Sequence, residues 1–153
     1  LTGPFLTIKH GARRMEAGGS IVVVASLNAV QPAGGMAAYC AAKAGVAMLV
    51  EVAALELGPS GIRVNAVAPG LVRTGLTDPM FAMPAVIADF TDNTPLGRHA
   101  APEEIAGCIA FLASDEAGFI SGSLQLIDGG AHICRYPDVL GHMDTLMAKG
   151  ANG

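Results

Sequence analysis

Short β-branched runs alternate along the chain with longer segments whose apolar residues recur at helical spacing. The run "SIVVVAS" (20–26), introduced by Gly18 and Gly19, is apolar at every position between its serines, the pattern of a parallel strand buried on both faces. "IRVNAVA" (62–68) reads as a second buried strand, ended by Pro69 and Gly70, and "SLQLID" (123–128) as a third, turned by Gly129 and Gly130. A long helix is predicted between the first two, from about residue 35 to residue 57, where "GPSG" stops it. "PEEIAGCIAFLAS" predicts another, with Pro102 at its first position and Glu103 and Glu104 at the positive end of the helix dipole. The opening "GPFLTIKHGARRM" completes a helix, strand, helix, strand, helix, strand order, which is an α/β layer with right-handed crossovers. Ligands of such sheets bind beyond the carboxyl ends of the strands, so 26–28 and 69–74 are the segments to question.

The second helix is apolar nearly all round, through Met36, Val46, Met48, Leu49, Val50, Val52, Leu55 and Leu57. One face can cover the sheet, and the rest needs another apolar neighbour; a partner subunit is expected, in a homodimer or homotetramer. Composition points the same way, with 52% hydrophobic and only 14% charged residues. A net charge of -4 without a basic cluster argues against nucleic acid as a partner. Glu51 and Glu56 interrupt the longest apolar run, which argues against a membrane span. Cys40, Cys108 and Cys134 show no paired spacing and read as reduced thiols of a cytoplasmic protein. The four histidines lack metal-ligand spacing, so no metal is expected. The first residue is Leu1, which makes the lack of a visible signal peptide uninformative.

"AAYCAAKAG" holds the candidate chemistry, because Tyr39 and Lys43 lie four positions apart and share one helix face. A free phenol loses its proton near pH ~10, too high for a base at neutrality, and an ammonium one helical turn away favours the phenolate. Ser26, at the end of the first strand, can hydrogen-bond the oxygen of the same carbonyl or alcohol. Together the three suit proton transfer coupled to hydride transfer. A tyrosine and a lysine at this spacing are also common by chance, and a serine at a strand end is often only a turn residue.

Further motifs accompany them in order. "IVVVASLNAV", "YCAAK" with Ser26 thirteen positions before Tyr39, "RVNAVAPGLVRT" and "TPLGRHAAPEEIAGCIAFLASDEAGFISGSLQLIDGG" resemble the C-terminal three-fifths of a short-chain dehydrogenase/reductase. The resemblance implies an α/β fold with a Rossmann-like doubly wound parallel sheet, and a dehydrogenase or reductase that uses NAD or NADP and acts on a secondary alcohol or its ketone or aldehyde. It implies Tyr39 as general acid/base, Lys43 as the cofactor's ribose contact and the cation beside the tyrosine, and Ser26 as the group that orients the substrate. Pro69, Gly70, Val72 and Thr74 would line the nicotinamide pocket. Asp128, Gly129 and Gly130 are expected to be a structural turn near a subunit interface, and Asn65 a backbone-bonding residue.

The family's glycine-rich TGxxxGxG loop has no counterpart here, nor does its fourth catalytic position, an asparagine that would stand ahead of "LTGPF". If these 153 residues were the whole protein, no turnover would be expected, and an inactive fragment or a non-catalytic assembly module of the same fold stays open as the alternative. Residues 1–133 are expected to form the C-terminal portion of one catalytic domain, and 134–153 an extension. The substrate lid is expected at 74–98, where Met80, Phe81, Met83, Val86, Ile87 and Phe90 are apolar. An apolar alicyclic, terpenoid or steroid-like alcohol would suit it; equally, these side chains can pack on the helix behind them. Val139, Leu140, Met143, Leu146 and Met147 give the extension one sticky helical face, to dock on a neighbouring subunit or to close over a pocket.

Overall fold

A computed structural model describes residues 1–150, with side chains described through 148. Its order is α1 (Thr2–Ala12), β1 (Ser20–Val24), α2 (Ala37–Leu57), β2 (Arg63–Pro69), α3 (Asp78–Phe81), α4 (Pro84–Asp92), α5 (Pro102–Ala113), β3 (Leu124–Ile127) and α6 (Val139–Gly150). The three strands form one parallel sheet in the order β1-β2-β3. Ser20 registers with Arg63 and Val24 with Val67, while Ala66 registers with Leu124. Helices α2 and α5 are the crossovers, as the alternating pattern predicts.

The two faces of β2 explain why the layers hold. Val64 and Ala66 pack with Ile8, Val46, Val50 and Ala53 from α1 and α2, whereas Val67 packs with Ile105 and Leu112 from α5. Strand side chains alternate faces, so one central strand nucleates both clusters. Each fully buried Val or Leu contributes about 1.5–3 kcal/mol, more than the propensity of any single helix residue. The expectation that β1 is buried on both faces does not hold. Its residues are only half-buried and Val24 is 50% exposed, because β1 is the sheet's edge strand among the described residues.

Helix α2 buries Val46, Val50 and Ala53 but leaves Met48, Val52 and Leu55 exposed. Residues Ala37–Ser60 are long and apolar enough to cross a membrane, yet this helix also covers the sheet. At the start of α5, Glu104 accepts the Ala101 N–H at 2.8 Å and a two-pronged salt bridge from Arg98 at 2.7 Å, which holds its carboxyl at about 2.

Two contacts bring the strand ends into register for a site. Asn65 is fully buried; its amide donates to the Ile120 carbonyl at 2.8 Å and its oxygen accepts the Ser123 N–H at 3.1 Å. The residue is therefore the backbone-bonding pin expected from the sequence, and it fixes where β3 begins. Gly70 leaves β2 so close to β3 that a side chain there would come within 3.0 Å of the Asp128 Cα. Asp128 in turn accepts the backbone N–H groups of Gly130 and His132, with Gly129 and Gly130 both at positive φ.

Asn65→Ala strands two buried backbone groups, and unfolding in urea should show a loss of about 2–3 kcal/mol. A loss below about 0.5 kcal/mol would mean that water or relaxation replaces both bonds.

Candidate active site

A cavity of about 340 Å³ opens beyond the carboxyl ends of β1 and β2. Ser26, Tyr39, Pro69 and Gly70 all line it, so the segments singled out by topology do converge. Ser26 is in extended backbone and buried, and its Oγ accepts the Asn28 N–H at 3.2 Å, capping the 3-10 turn Leu27–Ala29. The cap and the chemistry are compatible, since that bond uses a lone pair and leaves the hydroxyl proton for an oxygen in the cavity.

Tyr39 lies in the first turn of α2 and is 40% exposed. The Lys43 Nζ stands 5.6 Å from the centre of its ring and donates to the carbonyls of Val24 at 3.2 Å and Ala25 at 2.9 Å. An ammonium has three protons, so one remains for a ligand. Lys43 itself stays outside the cavity wall, as do Val72 and Thr74. Val72 bridges to Ala100, and Thr74 gives its N–H to the Thr77 hydroxyl at 2.9 Å, which donates to the Val72 carbonyl at 2.7 Å. Leu76 and Thr77 are the members of this turn that reach the cavity.

The lid divides between the two roles expected for it. Met80 and Phe90 line the cavity, Val86 is fully buried, and Phe81 packs edge-on against His99 at 4.8 Å. A larger groove, about 830 Å³, runs between α1 and α2, but none of Ser26, Tyr39 and Lys43 lines it.

Sequence reasoning did not find the far wall. Arg135, Tyr136 and Pro137, from the start of the extension, line the same cavity as Ser26. The extension therefore closes over a pocket in its own chain, while Leu140, Met143, Leu146 and Met147 remain substantially exposed. Tyr136 directs its hydroxyl toward the Asn28 Oδ1 at 3.4 Å and packs edge-on against Phe90, ring centres 5.7 Å apart. Burial pushes its phenol above the ordinary value, so it is a hydrogen-bond donor at neutral pH. One signal was available: the chain has only two tyrosines, and both meet at this cavity.

Asp89 of α4 fastens that wall. It is buried and accepts from Arg135 Nη2 at 2.5 Å, the Asp138 N–H at 2.8 Å, Asn93 at 2.9 Å and His142 Nε2 at 3.2 Å in its protonated-nitrogen tautomer. Burial alone would raise its pKa, but the bonds from Arg135, Asp138 and His142 and the Arg135 charge bring it below the usual carboxylate range. Asp128 follows the same logic, with burial opposed by bonds from His132 and Gly130.

Known proteins share this fold and much of this sequence. A family model described as enoyl-(acyl carrier protein) reductase matches residues 1–132. A cis-4-hydroxycyclohexanecarboxylate dehydrogenase of Sinomonas cyclohexanicum is 48% identical over 133 residues, 85% of this chain and 52% of that protein. A short-chain dehydrogenase/reductase structure from Mycobacterium ulcerans superposes with a TM-score of 0.91 at 35% identity, covering 95% of this chain and 54% of that one. A 4-hydroxyisoleucine dehydrogenase complexed with NADH gives a TM-score of 0.85 at 36% identity, covering 88% and 57%. The parallel α/β sheet and the cavity at its strand ends define the class, and the chain belongs to the short-chain dehydrogenase/reductase family. It spans about half the length of the curated relatives it matches.

Both depressed carboxylates contribute stability that is complete above their unfolded pKa of about 4 and is lost as pH falls through the lower folded values. Thermal unfolding from pH 7 down to pH 3 should therefore show an acid limb beginning near pH ~4. In Asp89→Asn that limb should be shallower, with about 1–3 kcal/mol less stability at pH 7. An unchanged limb would show that Asp89 is not held by these partners in solution.

Proposed function

We propose that the protein interconverts a secondary alcohol and its ketone or aldehyde with NAD or NADP, and that Tyr39 is the general acid/base. The convergence of Ser26 and Tyr39 on one cavity, with Lys43 tied to the end of β1 beside the tyrosine, is the observation that supports this reading. The residues present fit the nicotinamide end of such a cofactor. Lys43 keeps a free ammonium proton for a ribose hydroxyl, and Gly70, which has no side chain, lines the cavity beside Pro69. Pro69, Gly70, Val72 and Thr74 would complete that side. When bound, the cofactor supplies a two-electron hydride acceptor or donor.

The chain's own part is to hold the oxygen and move the proton. Ser26 donates its hydroxyl proton to the substrate oxygen and steadies charge as it develops there. Tyr39 takes the proton from an alcohol oxygen, or returns it to a carbonyl oxygen, through its exposed phenol. Lys43 provides the positive charge near the ring as that proton leaves. Met36, Leu71, Met80 and Phe90 give the cavity apolar walls, which favours an apolar substrate.

Residues 1–133 serve in this reading as the C-terminal portion of one catalytic domain, acting in the cytoplasm. The exposed Phe5 and Val52 of the α1–α2 groove, with Met48 and Leu55 exposed on α2, favour a homodimer or homotetramer.

Tyr39→Phe in the complete protein should lower NAD(P)-linked turnover of a secondary alcohol by about 10²-fold or more, with an unchanged circular dichroism spectrum. Retention of most of the activity would remove Tyr39 from the role given to it.

A further inference from the structure

A hydroxyl turns about its bond to carbon to suit its partners, so a serine that must aim its proton needs a lone pair held. The Asn28 N–H does this for Ser26, donating to its Oγ at 3.2 Å. That N–H belongs to the 3-10 turn Leu27–Ala29, a kind of element with poor hydrogen-bond geometry of its own. Two buried amides brace the turn. Asn28 donates from its side-chain Nδ2 to the Gln31 carbonyl at 3.0 Å, closing the turn on itself. Gln31 donates from Nε2 to the carbonyls of Ala131 at 3.1 Å and Cys134 at 2.8 Å, 100 and 103 positions along the chain. Both protons of that amide are spent there, so Gln31 lines the cavity with no side-chain N–H left for a ligand. From the extension, the Tyr136 hydroxyl stands 3.4 Å from the Asn28 Oδ1.

We infer that Gln31 and Asn28 are positioning residues for Ser26, and that the segment 131–134 thereby enters the geometry of the reaction. This rests on the reading of Ser26 and Tyr39 as the groups that hold a substrate oxygen and move its proton. The path is continuous. It runs from the Ser26 Oγ through the Asn28 N–H, the Asn28 amide and the Gln31 carbonyl to the backbone beyond β3. Ser26, Asn28 and Gln31 are each 8% exposed, so removing one partner strands a buried polar group, and the turn shifts to recover a bond. Such a shift moves the Asn28 N–H and, with it, the direction in which Ser26 donates. An anchor that only fastened 131–134 would use the same bonds. The two roles differ in one respect: only positioning makes the effect of Gln31 depend on the presence of the Ser26 hydroxyl.

The test is a double-mutant cycle in the complete protein that pairs Gln31→Met with Ser26→Ala and reads NAD(P)-linked oxidation of cyclohexanol. Gln31→Met keeps an unbranched side chain and removes both donors. Alone, it should lower kcat by about tenfold or more while KM moves by less than about twofold. In the Ser26→Ala background it should cost less than about twofold further, because the group it positions is gone. Asn28→Ala should behave alike, and takes its place if Gln31→Met does not fold. Amide exchange supplies a readout that needs no substrate: Gln31→Met should speed exchange of the Asn28 N–H, and this measurement decides alone if cyclohexanol is not turned over. Effects of Gln31→Met and Ser26→Ala that simply multiply, or an Asn28 N–H whose exchange is unmoved, would overturn the inference while Tyr39-dependent turnover stands. Turnover undiminished in Tyr39→Phe would instead remove the reading beneath it, and the inference with it.

Discussion

The ammonium of Lys43, hung on the carbonyls of Val24 and Ala25, is the contact from which the site's geometry follows. A helix laid on a sheet is held along its middle by burial, here through Val46, Val50 and Ala53. Burial is non-directional, so it cannot by itself fix the rotation of the helix's first turns. Two charge-assisted bonds to the end of β1 supply that direction. One turn earlier on the same face, Tyr39 is thereby aimed into the space beyond the strand ends, where Ser26 already stands. The lysine thus serves the fold and the proposed chemistry with different protons of one group.

The rest of the cavity is assembled from segments far apart in the chain. Asn65 sets the start of β3, and Gly70 lets β2 pass close to Asp128, so the last strand delivers residues 128–134 to the cavity's rim. Gln31 then grips that rim from the β1 side, and Asp89 grips the following residues from the lid. Burial alone would raise this carboxyl's pKa, and the donors that meet it bring it below the ordinary range instead. Loosening that wall would also expose the clasp that holds α4 to the extension.

How much of this was legible in the sequence follows from the range of the interactions. The three strands and the helices α1, α2 and α5 were readable because their patterns are local, β-branched runs or 3.6-residue periodicity between glycine and proline stops. Ser26, Tyr39 and Lys43 were readable as a motif, and topology alone directed attention to 26–28 and 69–74. The burial of β1 was misjudged because an apolar run looks the same in a central strand and in an edge strand. Asp89 and Tyr136 were invisible for a different reason. They matter only through pairings 46 to 108 positions apart, with Arg135 and Asn28, and no local pattern announces such a pair.

The claim on which the account turns is that Lys43, tied to β1, also serves a nicotinamide cofactor beside Tyr39. The most direct test titrates the complete protein with NADH, following the emission of the reduced nicotinamide, and repeats the titration with Lys43→Met. The account predicts saturable, enhanced emission that is weakened by tenfold or more in affinity by the substitution, a loss of about 1.4 kcal/mol. Saturable binding indifferent to Lys43, or no binding of NADH or NADPH at all, would contradict it.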